Sequence, residues 1–258
     1  MPPFWLVAVA TLLAVIVAMA VTAVASRRLG KVSVVDVTWG LLFVVIAWTA
    51  CAVAGGAARS LLLAVLVTVW GGRLAWHLAP RMRGGEDPRY AAMMRDVPPE
   101  RRLRWAIRRV FAVQGVIAWF VSLPIIVAAT TDRPIGSIAW LGLVLYAAGL
   151  AFEAIGDAQL RAFKADPANR GAVMDRGLWS WTRHPNYFGD ALVTWGIFVI
   201  SAEAWPGVLT ILSPILMTHL LVNVSGAKLL EKTMMQRPGY PEYASRTSMF
   251  VPRPPKRG

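Results

Sequence analysis

Apolar residues run through this chain in long blocks broken by short polar stretches, without the alternation of strands or the single stripe of a soluble helix. A helix that crosses a bilayer needs roughly 20 mostly apolar residues. Seven blocks meet that need, at residues 4–25, 34–54, 60–79, 110–130, 137–158, 187–204 and 206–227. Turn signals stand between several of them: Gly55-Gly56, Asp132-Arg133-Pro134, and Glu203-Ala204-Trp205-Pro206, which reads as a tight helical hairpin. Val251-Pro252-Arg253-Pro254-Pro255 cannot continue a helix and reads as an extended tail. The first block ends in Ala23-Val24-Ala25, which imitates a signal-peptide cleavage site. No basic residue precedes it and its apolar run is long, so a retained helix is expected. The pattern predicts an all-α membrane protein of seven transmembrane helices, forming one domain over residues 1–258.

Composition agrees. With 57% hydrophobic and 16% charged residues, the 258-residue chain has too little charge to coat a soluble domain. The blocks lack the polar alternation of a membrane β-barrel. One cysteine, Cys51, excludes a disulfide scaffold and a zinc site of paired thiolates, and no metal centre is expected. The charge is lopsided, with 27 Lys and Arg against 14 Asp and Glu. All the basic residues except Arg59 and Arg133 lie at or beyond the ends of blocks one, three, five and seven, Lys256 and Arg257 among them. Cytoplasmic loops collect Lys and Arg, so the amino terminus is expected outside and the carboxyl terminus in the cytoplasm. A soluble chain this basic would suggest nucleic acid. Here topology and contact with anionic membrane lipids explain most arginines, and no nucleic-acid partner is expected.

The stretch between blocks five and six is different, because acids and amides are mixed with its arginines. Glu153 and Asp157 are four apart and share a helix face. Arg161, Asp166, Asn169, Arg170 and Asp175 follow, then Ser180-Trp181-Thr182-Arg183-His184-Pro185-Asn186-Tyr187-Phe188-Gly189-Asp190. Block six begins inside this motif, which places Arg183, His184 and Asn186 at a helix amino end, where free N–H groups favour an anion. Pro185 suits the first helical position, and Gly189 allows close approach of another backbone or a flat ligand. Beyond block seven, Glu231, Arg237, Tyr240, Tyr243 and Arg246 offer groups that pair with phosphates or stack on a ring; an ordinary juxtamembrane helix would carry the same residues. His219 and Asn223 either line a cavity or bond between helices. Cys51 has nothing near it to activate it.

The block from Glu153 to Pro255 resembles the bacterial membrane family DUF1295, within the steroid 5α-reductase and sterol reductase superfamily. Its signatures stand here as residues 165–171, residues 180–190 and Pro238-Gly239-Tyr240. Asp36-Val37-Thr38-Trp39-Gly40, Trp70 to His77 and Glu86-Asp87-Pro88-Arg89-Tyr90 look like its weaker amino-terminal motifs. The resemblance implies a multi-pass protein of the bacterial inner membrane that binds NADPH from the cytoplasmic side and reduces an activated C=C bond in a steroid or other lipid-like substrate. It further implies weaker-matching substrate and catalytic helices over 1–110 and a cofactor block over 136–258. Asp157, Arg161, Asn186 and Asp190 match the family's cofactor grip, with Arg170, Arg183 and His184 as phosphate or ribose partners. Glu153, Asn169, Tyr187, Glu231, Tyr240 and Arg246 complete the candidate cofactor set.

The better-known eukaryotic reductases use a Glu on helix two and a Tyr on helix three, and this chain departs from that. Helix two offers Asp36; helix three offers Arg73 and His77 but no Tyr; Tyr90 lies beyond it. Asp36, His77 and Tyr90 are the catalytic candidates. The plain alternative is that Asp36 pairs with Arg73 while His77 and Tyr90 sit at the membrane interface. A second enzyme class stays open: Arg183-His184-Pro185-Asn186-Tyr187-Phe188-Gly189 with Glu231 also resembles isoprenylcysteine and phospholipid methyltransferases, which bind S-adenosylmethionine. A third reading is a lipid-binding protein that has lost catalysis.

Overall fold

The computed structural model describes residues 1–255; Lys256 and Arg257, counted above among the cytoplasmic charges, lie outside the described residues. Its helices are α1 (Phe4–Leu29), α2 (Val34–Val53), α3 (Ala58–Leu78), α4 (Pro88–Met93), α5 (Arg102–Ala106), α6 (Ala112–Val121), α7 (Leu123–Ala128), α8 (Ser137–Ala165), α9 (Pro185–Ala202), α10 (Leu212–His219), α11 (Ala227–Met234) and α12 (Tyr240–Arg246). Among the described residues there is no strand, only an isolated parallel bridge between Thr182 and Ser248.

Five stretches are long and apolar enough to cross a membrane: Phe4–Leu29, Val34–Val53, Ala58–Arg83, Ser137–Ala165 and Gly207–Met234. They coincide with predicted blocks one, two, three, five and seven and fit a multi-pass membrane protein. Block four is a broken helix. Its polypeptide passes through a π turn at Ile107–Phe111, then α6, and stops at Ser122 before α7. Pro124, in the first turn of α7, has no N–H to continue the ladder from α6. Block six forms α9, 18 residues long, whose opening turns carry Asn186 and Asp190 and lower its apolar character. α1 turns Leu13, Val17 and Val21 outward, bare apolar surface that suits lipid better than water.

The chain gathers into two compact units, the first of Met1–Gly136 with Ala204–Ser213, the second of Ser137–Glu203 with the chain from Pro214 onward. In the first, α2 lies between α1 and α3. Trp39, Phe43 and Trp70 meet edge to face with centroids 5.3 and 5.2 Å apart. Arg59, buried at the start of α3, donates to the Pro134 carbonyl at 2.8 Å and so fastens the loop before α8.

In the second unit α8 and α9 lie against each other along a seam of glycines. A side chain at Gly142 would strike the Gly196 carbonyl, and one at Gly149 would strike the Gly189 carbonyl. Small residues at such positions let helix backbones approach, which supplies packing where the hydrophobic effect is weak. The open alternative for Gly189 is thus settled: a backbone, not a flat ligand, occupies its empty face. Glu203 accepts from the amides of Ile138 and Ala139 at 2.9 and 3.2 Å, satisfying donors at the start of α8.

Candidate functional site

Two polar clusters stand out, one in each unit. In the first, Asp36 opens α2 and receives the Tyr90 phenol at 2.6 Å and the Arg89 guanidinium at 2.8 Å. The cation that the Asp36 carboxylate holds is therefore Arg89. Gln114 donates to the Tyr90 oxygen at 3.3 Å, so that phenol both gives and accepts. Burial, and then the charge of Asp36, push the Tyr90 phenol above its usual range. Burial works against the charge of Arg89, but its hydrogen bond to Asp87 and the nearby Asp36 outweigh that and push its pKa up. The loop is held by Glu86, which accepts from the amides of Val32 and Ser33 at 2.5 and 3.0 Å. Lys31 reciprocates by donating to the carbonyls of Met82 and Gly84. His77 occupies the last turn of α3, half-buried.

In the second unit the candidates separate into two groups. The first lies along the α8–α9 seam. Glu153 and Asp157 of α8 are buried one turn apart, Asp190 of α9 is buried, and the Asn186 amide donates to Asp157 at 3.2 Å. Trp179 donates to the Gly156 carbonyl at 2.9 Å, and Gln159 accepts from the Leu178 amide at 3.0 Å. Gly177, at φ +59°, leaves the space that the Gln159 amide fills.

The second group is a clamp around Arg183. Its Nε and Nη2 donate to the two oxygens of Glu231 at 2.6 and 2.7 Å, and its Nη1 donates to the carbonyls of Ala244 and Thr247 at 2.8 and 2.7 Å. Of the five guanidinium N–H groups one is left over. Burial lowers the Arg183 pKa, but Glu231 more than reverses it and the net shift is upward. His184 Nε2 lies 3.1 Å from Glu231, and Tyr187 stacks on the His184 ring at 5.6 Å. Tyr240 donates to Glu231 at 3.3 Å; burial, and then the Glu231 charge, hold its phenol at about 12. The remaining predicted residues stand apart. Arg246 pairs with Asp175 at 2.6 Å, and Asn169 closes a local turn onto the Phe163 carbonyl. Arg161 and Arg170 are exposed, with no ion pair among the described residues. His219 and Asn223 bond to each other at 3.2 Å.

A sequence pattern described as "Protein of unknown function (DUF1295)" matches residues 8–247. The chain belongs to the DUF1295 family. It is also similar to an uncharacterised protein of Schizosaccharomyces pombe, 23% identical over 219 residues, or 76% of this chain and 64% of that protein. This chain thus spans less than two thirds of that relative's length. A fungal relative takes the likeness beyond bacteria, so membership alone does not assign a bacterial inner membrane. No solved structure matches the chain.

Several contacts that build the second cluster had no signal in the sequence. Thr182 donates to the carbonyls of Met249 and Phe250, and Tyr243 to that of Trp179 at 2.5 Å. Burial, then the neighbouring Tyr240, push the Tyr243 phenol up. With the Arg183 amide on the Ser248 carbonyl and the Arg253 amide on that of Trp181, these bonds tie the extended tail to the 180–190 motif. Backbone carbonyls carry no residue identity, so nothing in the sequence names them as acceptors.

Proposed function

We propose that the protein is a membrane-embedded reductase that uses NADPH to reduce an activated C=C bond in a lipid-like substrate. The observation that carries this reading is the Asn186–Asp157 bond, which joins the motif of α9 to the acidic face of α8 beside Glu153 and Asp190. Buried acids beside a primary amide are the acceptors and donors that ribose hydroxyls and a carboxamide need. Arg161 and Arg170, exposed and without protein partners among the described residues, supply cations of the kind that grip phosphates. The residues present therefore fit the cofactor. Arg183 serves mainly as the clamp that holds the tail, since Glu231 and two carbonyls take most of its donors.

When bound, NADPH supplies a hydride to the β-carbon of a conjugated carbonyl system. The chain's part is then to meet the negative charge that grows on the carbonyl oxygen and to return one proton to carbon. Asp36 and Tyr90 are assigned that proton transfer, with Arg89 holding the second oxygen of Asp36, and His77 is the further candidate. We also assign seven crossings, with the amino terminus outside and the polar motifs of the second unit on the cytoplasmic side.

A second reading has an observation of its own: Glu231, far along the sequence from the adjacent Arg183 and His184, meets both within hydrogen-bond distance. That realises the methyltransferase pattern and would call for S-adenosylmethionine. Thermal unfolding of the purified protein in detergent separates the two, since a ligand that binds only the folded state raises its stability. NADPH is expected to raise the midpoint, and Asn186→Ala to abolish that rise while leaving the ligand-free midpoint near wild type. Stabilisation by S-adenosylmethionine and not by NADPH would overturn the reductase reading.

A further inference from the structure

The arginines between α4 and α6 were explained above by topology and general contact with anionic lipid, and their arrangement around one cavity goes beyond either task. A cavity of about 640 Å³ opens here, lined by Arg101, Arg104, Trp105, Arg108 and Arg109 with Asp96 as the single carboxylate. The volume falls in the range of small-molecule sites. Spacings of three and four bring Arg101, Arg104, Trp105 and Arg108 onto one helical face. The π turn Ile107–Phe111 carries Arg108 and Arg109; such turns insert one residue into a helix and recur at binding sites.

Three arginines elsewhere meet carboxylates: Arg89 with Asp36 and Asp87, Arg183 with Glu231, and Arg246 with Asp175. In the cavity, among the described residues, no side-chain hydrogen bond or ion pair engages Arg101, Arg104, Arg108 or Arg109. A positive-inside signal needs only charges on one side of a membrane. It does not need four guanidinium groups brought together around a half-buried indole, where like charges on one helix face repel. An anion between them removes that repulsion.

We propose that this cavity binds the phosphate group of an anionic ligand, with Arg101, Arg104, Arg108 and Arg109 as its donors and Trp105 as its apolar wall. Guanidinium forks match phosphate oxygens two at a time. Ile107, Val113 and Val116 stand exposed on the same segment, so a phospholipid headgroup whose tails follow that apolar surface suits the place; a soluble phosphate shares the same chemistry. The inference is independent of the reductase reading, because none of its residues belongs to that site.

Full-length protein in detergent is titrated with short-chain phosphatidylglycerol, with short-chain phosphatidylcholine as the zwitterionic comparison, and with inorganic pyrophosphate, reading the unfolding midpoint. The Arg104→Gln/Arg108→Gln variant is compared with Arg27→Gln/Arg28→Gln, which removes two equally exposed cytoplasmic-side charges elsewhere. Phosphatidylglycerol is expected to stabilise the wild type, with the cavity variant needing about tenfold more for the same shift and the control variant behaving as wild type. Stabilisation by phosphatidylglycerol alone names a lipid headgroup, and stabilisation by pyrophosphate names a soluble phosphate; either supports the site. No stabilisation by either anion overturns it. An unaffected cavity variant, or equal losses in both variants, overturns it as well. The NADPH-induced shift, measured on the same samples, reports on the reductase reading separately.

Discussion

Arg183 shows how a single side chain can serve the fold when its sequence context suggests ligand binding. At a helix amino end, beside His184 and Asn186, it looks like a phosphate donor; its guanidinium instead joins Glu231 of α11 to the carbonyls of Ala244 and Thr247. Removing one member of a largely buried pair leaves the other charge without compensation, so Arg183→Ala is expected to lower stability by about 3 kcal/mol in denaturant unfolding. Arg183→Lys should recover only a small part, because an ammonium cannot reproduce the planar fork. A lysine variant as stable as wild type would refute the clamp. Tyr240 gives the same cluster a pH signature. Its phenol is held at about 12 in the folded chain, above the ordinary value of about 10 for a free tyrosine. The neutral form is therefore favoured by folding, and its contribution is complete below pH about 10 and lost as pH climbs towards about 12. Tyr240→Phe should flatten that alkaline fall in a series of unfolding midpoints, and an unchanged slope would remove Tyr240 as its source.

Helices in lipid are held together by fit more than by apolar burial, and the α8–α9 seam rests on glycines. A Cβ at Gly189 would sit 2.5 Å from both the Glu153 amide nitrogen and the Gly149 carbonyl oxygen, and backbone cannot rotate away. Gly189→Ala is expected to cost about 2 kcal/mol or more. Gly72, inside α3 with nothing within 4 Å of its missing side chain, is the opposite case. Gly72→Ala should be neutral or stabilising by up to about 1 kcal/mol, and equal losses at the two sites would show that the seam is not the cause. Five long helices were legible in the sequence because an apolar run of bilayer length admits few other structures. The break at Ser122 was less so, since Pro124 is visible but its effect depends on where the preceding ladder ends. The π turns at Ile107–Phe111 and Leu220–Val224 leave no periodicity of their own in so apolar a stretch. At the site, Asn186 and Asp157 each stood out as polar residues in apolar helices, but no spacing in the sequence foretold the bond between them. The carbonyl half of the clamp and the tail were hidden, since their acceptors belong to the main chain.

For the chain as a whole the decisive quantity is the number of crossings, because it fixes which polar motifs share a compartment. Five stretches have the length and apolarity to cross, and the parity of the two others, residues 110–130 and 187–204, decides the rest. The basic residues argue that both cross: Arg133 is the single basic residue between blocks four and five, while Arg101 to Arg109 precede block four. A broken helix can still span, provided its freed backbone groups find partners; the Phe120 carbonyl, which Pro124 leaves without its ladder N–H donor, accepts from the Ser213 hydroxyl at 2.9 Å. Cys51 is buried and is the chain's sole cysteine, so Cys51→Ala gives a background in which one introduced thiol reports its own side of the membrane. In sealed right-side-out vesicles, a membrane-impermeant maleimide is expected to label Asp132→Cys and Trp205→Cys but not Arg95→Cys or Ala168→Cys until the membrane is opened. Arg95 and Asp132 flank block four, and Ala168 and Trp205 flank block six, so each pair tests one segment by itself. Two thiols of a pair reacting from the same side would remove that crossing and place the polar motifs of the chain in different compartments.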